Sequence, residues 1–179
     1  MNYLITGAGS GIGRAITVLL ATNGHSCFLL GRNENNLKET LALLPDNKHQ
    51  IFLADITDET AIENLLKDND DLVLDGIIAN AGIGGENNFG KNDRWNDIIN
   101  TNLTGTYLTV QYFLPALKRS KNNYKQIVIP IPSAIPCNPF CAISVFTQPG
   151  QMAFTRIFCC AYSTAQLRIS PSNPALDEQ

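Results

Sequence analysis

The sequence predicts an α/β protein built on one doubly wound parallel sheet, folded as a single domain over residues 1–179. Three observations lead there. Apolar runs of strand length alternate with amphipathic runs of helix length through residue 128 or so. A glycine-rich turn joins the first strand to the first helix. The chain has 179 residues, 44% apolar and 16% charged, which suffices for one complete hydrophobic core. Alternation of this kind implies right-handed crossovers and a sheet covered by helices on both faces.

Each element has its own signal. "NYLIT" is a first strand, and the segment from about Gly11 to Thr22 a first helix. "SCFLLG" and "NENNLKETLALL" form the second strand and helix, and "HQIFLAD" and "DETAIENLLKD" the third pair. "LDGIIAN" is a fourth strand. A long helix follows from about Asp93 to Leu117, with Trp95, Ile98, Ile99, Leu103, Tyr107, Val110 and Leu114 as its apolar side. "KQIVIPI" is a fifth strand.

The composition then changes. Seven of the nine prolines and four of the five cysteines lie at or after residue 129, and the last lysine is Lys125. Residues 1–128 therefore read as an intact unit and 129–179 as a divergent tail.

Charge and composition exclude several functions. A net charge of −3 argues against nucleic acid as a main partner. The one basic cluster, Lys118, Arg119, Lys121 and Lys125, reads as a solvated helix C-terminus favoured by the dipole. No run is apolar enough to span a bilayer, and "MNYLITG" enters a strand directly, so a cytoplasmic protein without membrane association is expected. Cys27 stands alone in a strand, while Cys137, Cys141, Cys159 and Cys160 have no histidine near them in sequence, so no metal site is expected.

The strongest motif is "TGAGSGIG", Thr6 to Gly13, at a strand-to-helix turn. Glycines there let the backbone approach a pyrophosphate, and the helix N-terminus supplies N–H donors and a positive dipole end. The second strand ends "LLGRN", with Gly31 where an acid would bind a ribose 2′-hydroxyl and Arg32 beside it. An arginine pairs with a 2′-phosphate, so NADP(H) is favoured over NAD(H).

On these residues the chain resembles the short-chain dehydrogenase/reductase family, whose Rossmann-like fold carries the pattern T-G-x3-G-x-G. Thr6, Gly7, Gly11 and Gly13 match it, with Gly9, Ser10 and Ile12 inside the loop. "ADIT" resembles the family's adenine-contacting motif, which here implies Asp55 and Ile56. "ANAG" resembles N-N-A-G, with Ala79 replacing the first asparagine and Asn80, Ala81 and Gly82 retained. "NLTG" resembles N-x-x-G, which implies that Asn102 helps to hold a proton-relay water. The resemblance implies an oxidoreductase acting on a small-molecule alcohol or carbonyl.

The second half departs from the family pattern. Family members use a serine to orient the carbonyl, a tyrosine to exchange its proton, and a lysine four residues on to lower the tyrosine pKa. Ser133 is the sole candidate serine. Counting forward from it reaches Phe146 and Gly150; counting back from "AFTR", which resembles the next helix, reaches Ser144 and Gln148. Tyr162 in "YSTAQ" has glutamine in the lysine position, and "LRISPSNP" resembles a sixth strand. The chain is expected to stop short of the family's substrate-covering segment and seventh strand, leaving the edge used for assembly incomplete. Three functions follow: an active NADP(H)-dependent enzyme, a nucleotide-binding module without hydride transfer, or the product of a disrupted reading frame. Nucleotide binding without appreciable turnover is the expected behaviour.

Overall fold

The computed structural model describes residues 1–84, 93–132, 140–148 and 151–158, from residue 130 onward by backbone alone. Five parallel strands carry the fold: β1 (Asn2–Thr6), β2 (Ser26–Gly31), β3 (Gln50–Leu53), β4 (Gly76–Ile78) and β5 (Gln126–Pro132). Two further strands, β6 (Phe140–Gln148) and β7 (Gln151–Phe158), extend the sheet antiparallel, and the order is β3-β2-β1-β4-β5-β6-β7. The order reverses beside β1, the point at which parallel α/β sheets open a crevice at their C-terminal strand ends.

Successive strand residues point to opposite faces, and here both faces are buried. Leu4, Leu30 and Ile77 pack on one side with Phe52, Ile62, Leu108 and Phe113. Their neighbours Ile5, Leu29 and Ile78 pack on the other with Ala21 and Leu37. The layers are α1 (Gly11–Thr22) and α2 (Glu34–Ala42) on the second side, and α3 (Glu59–Lys67) and α5 (Thr106–Arg119) on the first. Among the described residues, no helix is long and apolar enough to cross a membrane.

The long helix is composite. α4 (Trp95–Ile99) runs into a π segment (Asn100–Gly105) and then into α5. The wider π turn shifts the phase, and the buried stripe of α5 is Leu108, Thr109, Phe113, Ala116 and Leu117. The apolar side read from the sequence is thereby corrected: Trp95, Leu103 and Tyr107 are exposed, at 59%, 64% and 62%. Of the basic cluster, Lys118 and Arg119 lie in the last turn of α5, whereas Lys121 follows the helix and Lys125 directly precedes β5.

A second correction concerns "AFTR". The sequence, by resemblance, makes it helical; the structure puts Phe154 to Arg156 in β7, paired with Ile143 to Val145 of β6. Two β-rich runs on either side of Pro149-Gly150 have the pattern of a hairpin, and that local signal prevails. "LRISPSNP" lies outside the described residues.

Candidate functional site

The glycine-rich turn is held open by its own geometry. Gly7 has φ +67°, a conformation that L side chains rarely adopt. A Cβ on Gly13 would overlap the carbonyl oxygen of Gly7, so this position admits only glycine as the chain turns into α1. Thr6 accepts the N–H of Ala81 on its hydroxyl at 2.8 Å, and its carbonyl accepts from Asn80 Nδ2 at 3.1 Å. These bonds tie the ends of β1 and β4 together. Arg14 fastens the turn to α2: its guanidinium donates to the Gly9 carbonyl at 2.6 Å and to Thr40 Oγ1 at 3.0 Å, and pairs with Glu39 at 2.9 Å.

The crossover helices differ at their N-termini. Asn33 caps α2 by accepting from Asn36 N, and Asp58 caps α3 by accepting from Ala61 N. Ser10 begins α1 with no side-chain capping bond, and no acid stands in its first turn. The first N–H groups of a helix need partners, and those of α1 border an open cleft. They suit an anion.

The cleft holds about 310 Å³, within the range of small-molecule sites. Of the residues that the sequence assigns to a cofactor, Gly7, Ser10, Gly11, Ile12, Arg32, Asp55, Ile56, Asn80, Ala81 and Gly82 line it. Gly9 lines an adjoining hollow with Asn33 and Asn36. Thr6 and Gly13 are buried and shape the wall. Gly31 also borders it, and the sequence reading missed Leu30, Ala54, Ile83 and Thr101, which complete the lining. Their signal was position alone, since each adjoins a recognised motif.

Arg32 and Asp55 face each other across this space. Arg32 Nη1 lies 3.3 Å from Asp55 Oδ2. Asp55 Oδ1 accepts from the backbone N–H of Thr57 at 2.9 Å and from its hydroxyl at 2.8 Å. Burial works to raise the Asp55 pKa, but the Thr57 and Arg32 hydrogen bonds prevail and hold the carboxyl below its ordinary value. The pair therefore sets a carboxylate pinned by Thr57 beside an exposed guanidinium at the cleft.

Asn102 sits in the π segment. Its Oδ1 accepts from Ile83 N at 2.8 Å and its Nδ2 donates to Ile83 O at 2.9 Å, so both ends of the amide clamp the chain leaving β4. Its carbonyl accepts from Thr106 Oγ1 at 2.9 Å. Ser133 and Tyr162 lie outside the described residues, as does Gly150. Ser144, Phe146 and Gln148 fall within β6, beside β7.

Comparison with known proteins agrees with this architecture. The family model described as short chain dehydrogenase matches residues 2–171. An uncharacterised oxidoreductase of Staphylococcus aureus (strain MW2) is 31% identical over 125 residues, covering 68% of this chain and 54% of that protein. A protein of Shigella flexneri 2a assigned as a short chain dehydrogenase, solved with NADP, superposes with a TM-score of 0.61 at 28% identity, over 67% of this chain and 54% of that one. A 3-ketoacyl-(acyl-carrier-protein) reductase of Brucella melitensis, solved with NADH, gives a TM-score of 0.56 at 27% identity, over 65% of this chain and 50% of that one. The chain spans about half the length of the curated relatives that it matches.

Proposed function

The chain belongs to the short chain dehydrogenase family, whose members bind NAD(P)(H), and from that premise we propose that it binds NADP(H) in the cleft at the C-terminal ends of β1 to β4 without appreciable turnover. The observation that carries the binding reading is the uncapped N-terminus of α1 beside Arg32. Gly7, Gly11 and Ile12 border the space for the pyrophosphate, and Gly13 permits the close turn behind it. Arg32 reads the 2′-phosphate, and Asp55 and Ile56 border the adenine. Asn80 to Gly82 and Asn102 shape the end toward the nicotinamide.

A bound nicotinamide supplies or accepts hydride at a carbonyl or alcohol carbon, and the protein must move a proton at the oxygen. The residue types at the positions that would do so oppose it. Phenylalanine has no exchangeable proton, serine is a very weak acid, and neither Gln148 nor Gly150 carries a cation. The proposed substrate class, if the chain is active, is a small-molecule alcohol or carbonyl compound, with Ser133 and Tyr162 as the catalytic candidates.

Titrating NADPH and NADH against the parent chain and Arg32→Asp tests the cofactor reading. The variant should lose NADPH affinity by about tenfold or more and NADH affinity far less, because a charge-assisted pair becomes a repulsion. Equal losses would show that Arg32 does not read the phosphate.

A further inference from the structure

We propose that Asp55 sets the selectivity of the cleft for a 2′-phosphate by competing for Arg32. This deepens the cofactor reading above and rests on Arg32 as the phosphate reader. In the structure the Arg32 guanidinium is turned to Asp55, 3.3 Å away, yet the same residue also lines the adjoining hollow at the start of α2. That hollow is bordered by Ser10, Asn33 and Asn36, and Arg32 is the sole charged residue among its lining. Hydroxyl, amides and one cation make a setting for a phosphate group.

The two partners differ in freedom. The Asp55 carboxylate is pinned through Oδ1 by the N–H and the hydroxyl of Thr57, which aims Oδ2 at Arg32. The Arg32 side chain is 63% exposed and has no second carboxylate among its described partners. Glu34, the nearest acid in sequence, is paired with Lys38 at 2.7 Å. Arg32 therefore has two stations, Asp55 or the hollow, and a 2′-phosphate must draw it from the first to the second. A nucleotide without the 2′-phosphate makes no such demand. Asp55 is thus a positioning residue that lowers discrimination in favour of the phosphorylated nucleotide.

The test uses the full chain and two adenosine probes, adenosine 2′,5′-bisphosphate and 5′-AMP, with dissociation constants measured by calorimetry. The quantity read is the ratio of the AMP constant to the bisphosphate constant. Loss of an adenine contact affects both probes alike and cancels in the ratio. Asp55→Asn keeps an acceptor for Thr57 and should raise the ratio by about two- to fivefold, the scale of an exposed ion pair. Arg32→Met should bring the ratio close to one, and adding Asp55→Asn to it should then change nothing. Asp55→Ser serves as a second neutral variant and should act like Asp55→Asn. An unchanged or lowered ratio in the Asp55 variants would overturn the proposal. So would an equal rise in the Arg32→Met background, which would mean direct repulsion of phosphate by Asp55. A parent ratio near one that Arg32→Met leaves unaltered would instead refute the 2′-phosphate reading itself.

Discussion

A methyl group on Gly13 would overlap the Gly7 carbonyl and stand 2.7 Å from Asn80 Nδ2. Gly13→Ala should therefore destabilise the chain by about 1–3 kcal/mol and weaken nucleotide binding, because the turn must shift toward the cleft. A thermal melt with a nucleotide titration checks both effects, and an unchanged melt would show that the turn relaxes freely. The cleft lining was legible in the motif letters, since Gly7, Ser10, Gly11 and Ile12 all border it. Tertiary contacts were not legible. The bond by which the Thr6 hydroxyl accepts from Ala81 N carried no signal in the sequence. Arg14 carried no separate signal, because its partners Gly9, Thr40 and Glu39 converge only when α2 packs beside the turn.

At the scale of elements, one buried carboxylate joins several segments. Asp75, 6% exposed at the start of β4, accepts from Asn2 N at 2.7 Å, from Asn122 Nδ2 at 2.6 Å and from the Ser120 hydroxyl. It ties β1 to the end of α5 and the approach to β5. Burial would raise its pKa, but these hydrogen bonds prevail and hold it below the ordinary 3.8. The stabilisation it contributes is complete above about pH 5 and is lost progressively as the pH falls through the depressed folded-state value. Asp75→Asn should cost about 1–3 kcal/mol at neutral pH and flatten the acid limb of a plot of Tm against pH. An identical acid limb in parent and variant would refute this assignment.

The π segment is a second junction between elements. Asn102→Ala removes both bonds to Ile83 and should lower the Tm by about 2–4 °C per kcal/mol lost, for a loss of about 1 kcal/mol. A melt at the parent temperature would show that the clamp contributes no stability. Strands were legible because burial on both faces forces continuous apolar runs, and crossover helices because burial on one side leaves an amphipathic period. The phase of the long helix was not, since the six-residue π segment, Asn100 to Gly105, has no distinct periodicity of its own. The hairpin of β6 and β7 lost to a resemblance, although the residues around Pro149-Gly150 carried the strand signal.

The molecule as a whole combines a first part that carries the family's glycine-rich turn, with Ala79 its one departure in A-N-A-G, and residues 129–179, in which no tyrosine is followed four positions on by a lysine. A positioned acid typically contributes about 10²–10⁴-fold to such a reaction, and a neighbouring lysine makes that acid stronger. The proposed function separates binding from turnover in this chain, and that separation is the central claim to test. The most direct test measures both in one sample: NADPH affinity by fluorescence titration, and NADPH oxidation by absorbance across a panel of aldehydes and ketones, with Ser133→Ala and Tyr162→Phe beside the parent. The predicted result is saturable NADPH binding with no oxidation above the rate without protein, in parent and variants alike. Robust oxidation that Tyr162→Phe abolishes would contradict it and make "YSTAQ" the catalytic motif.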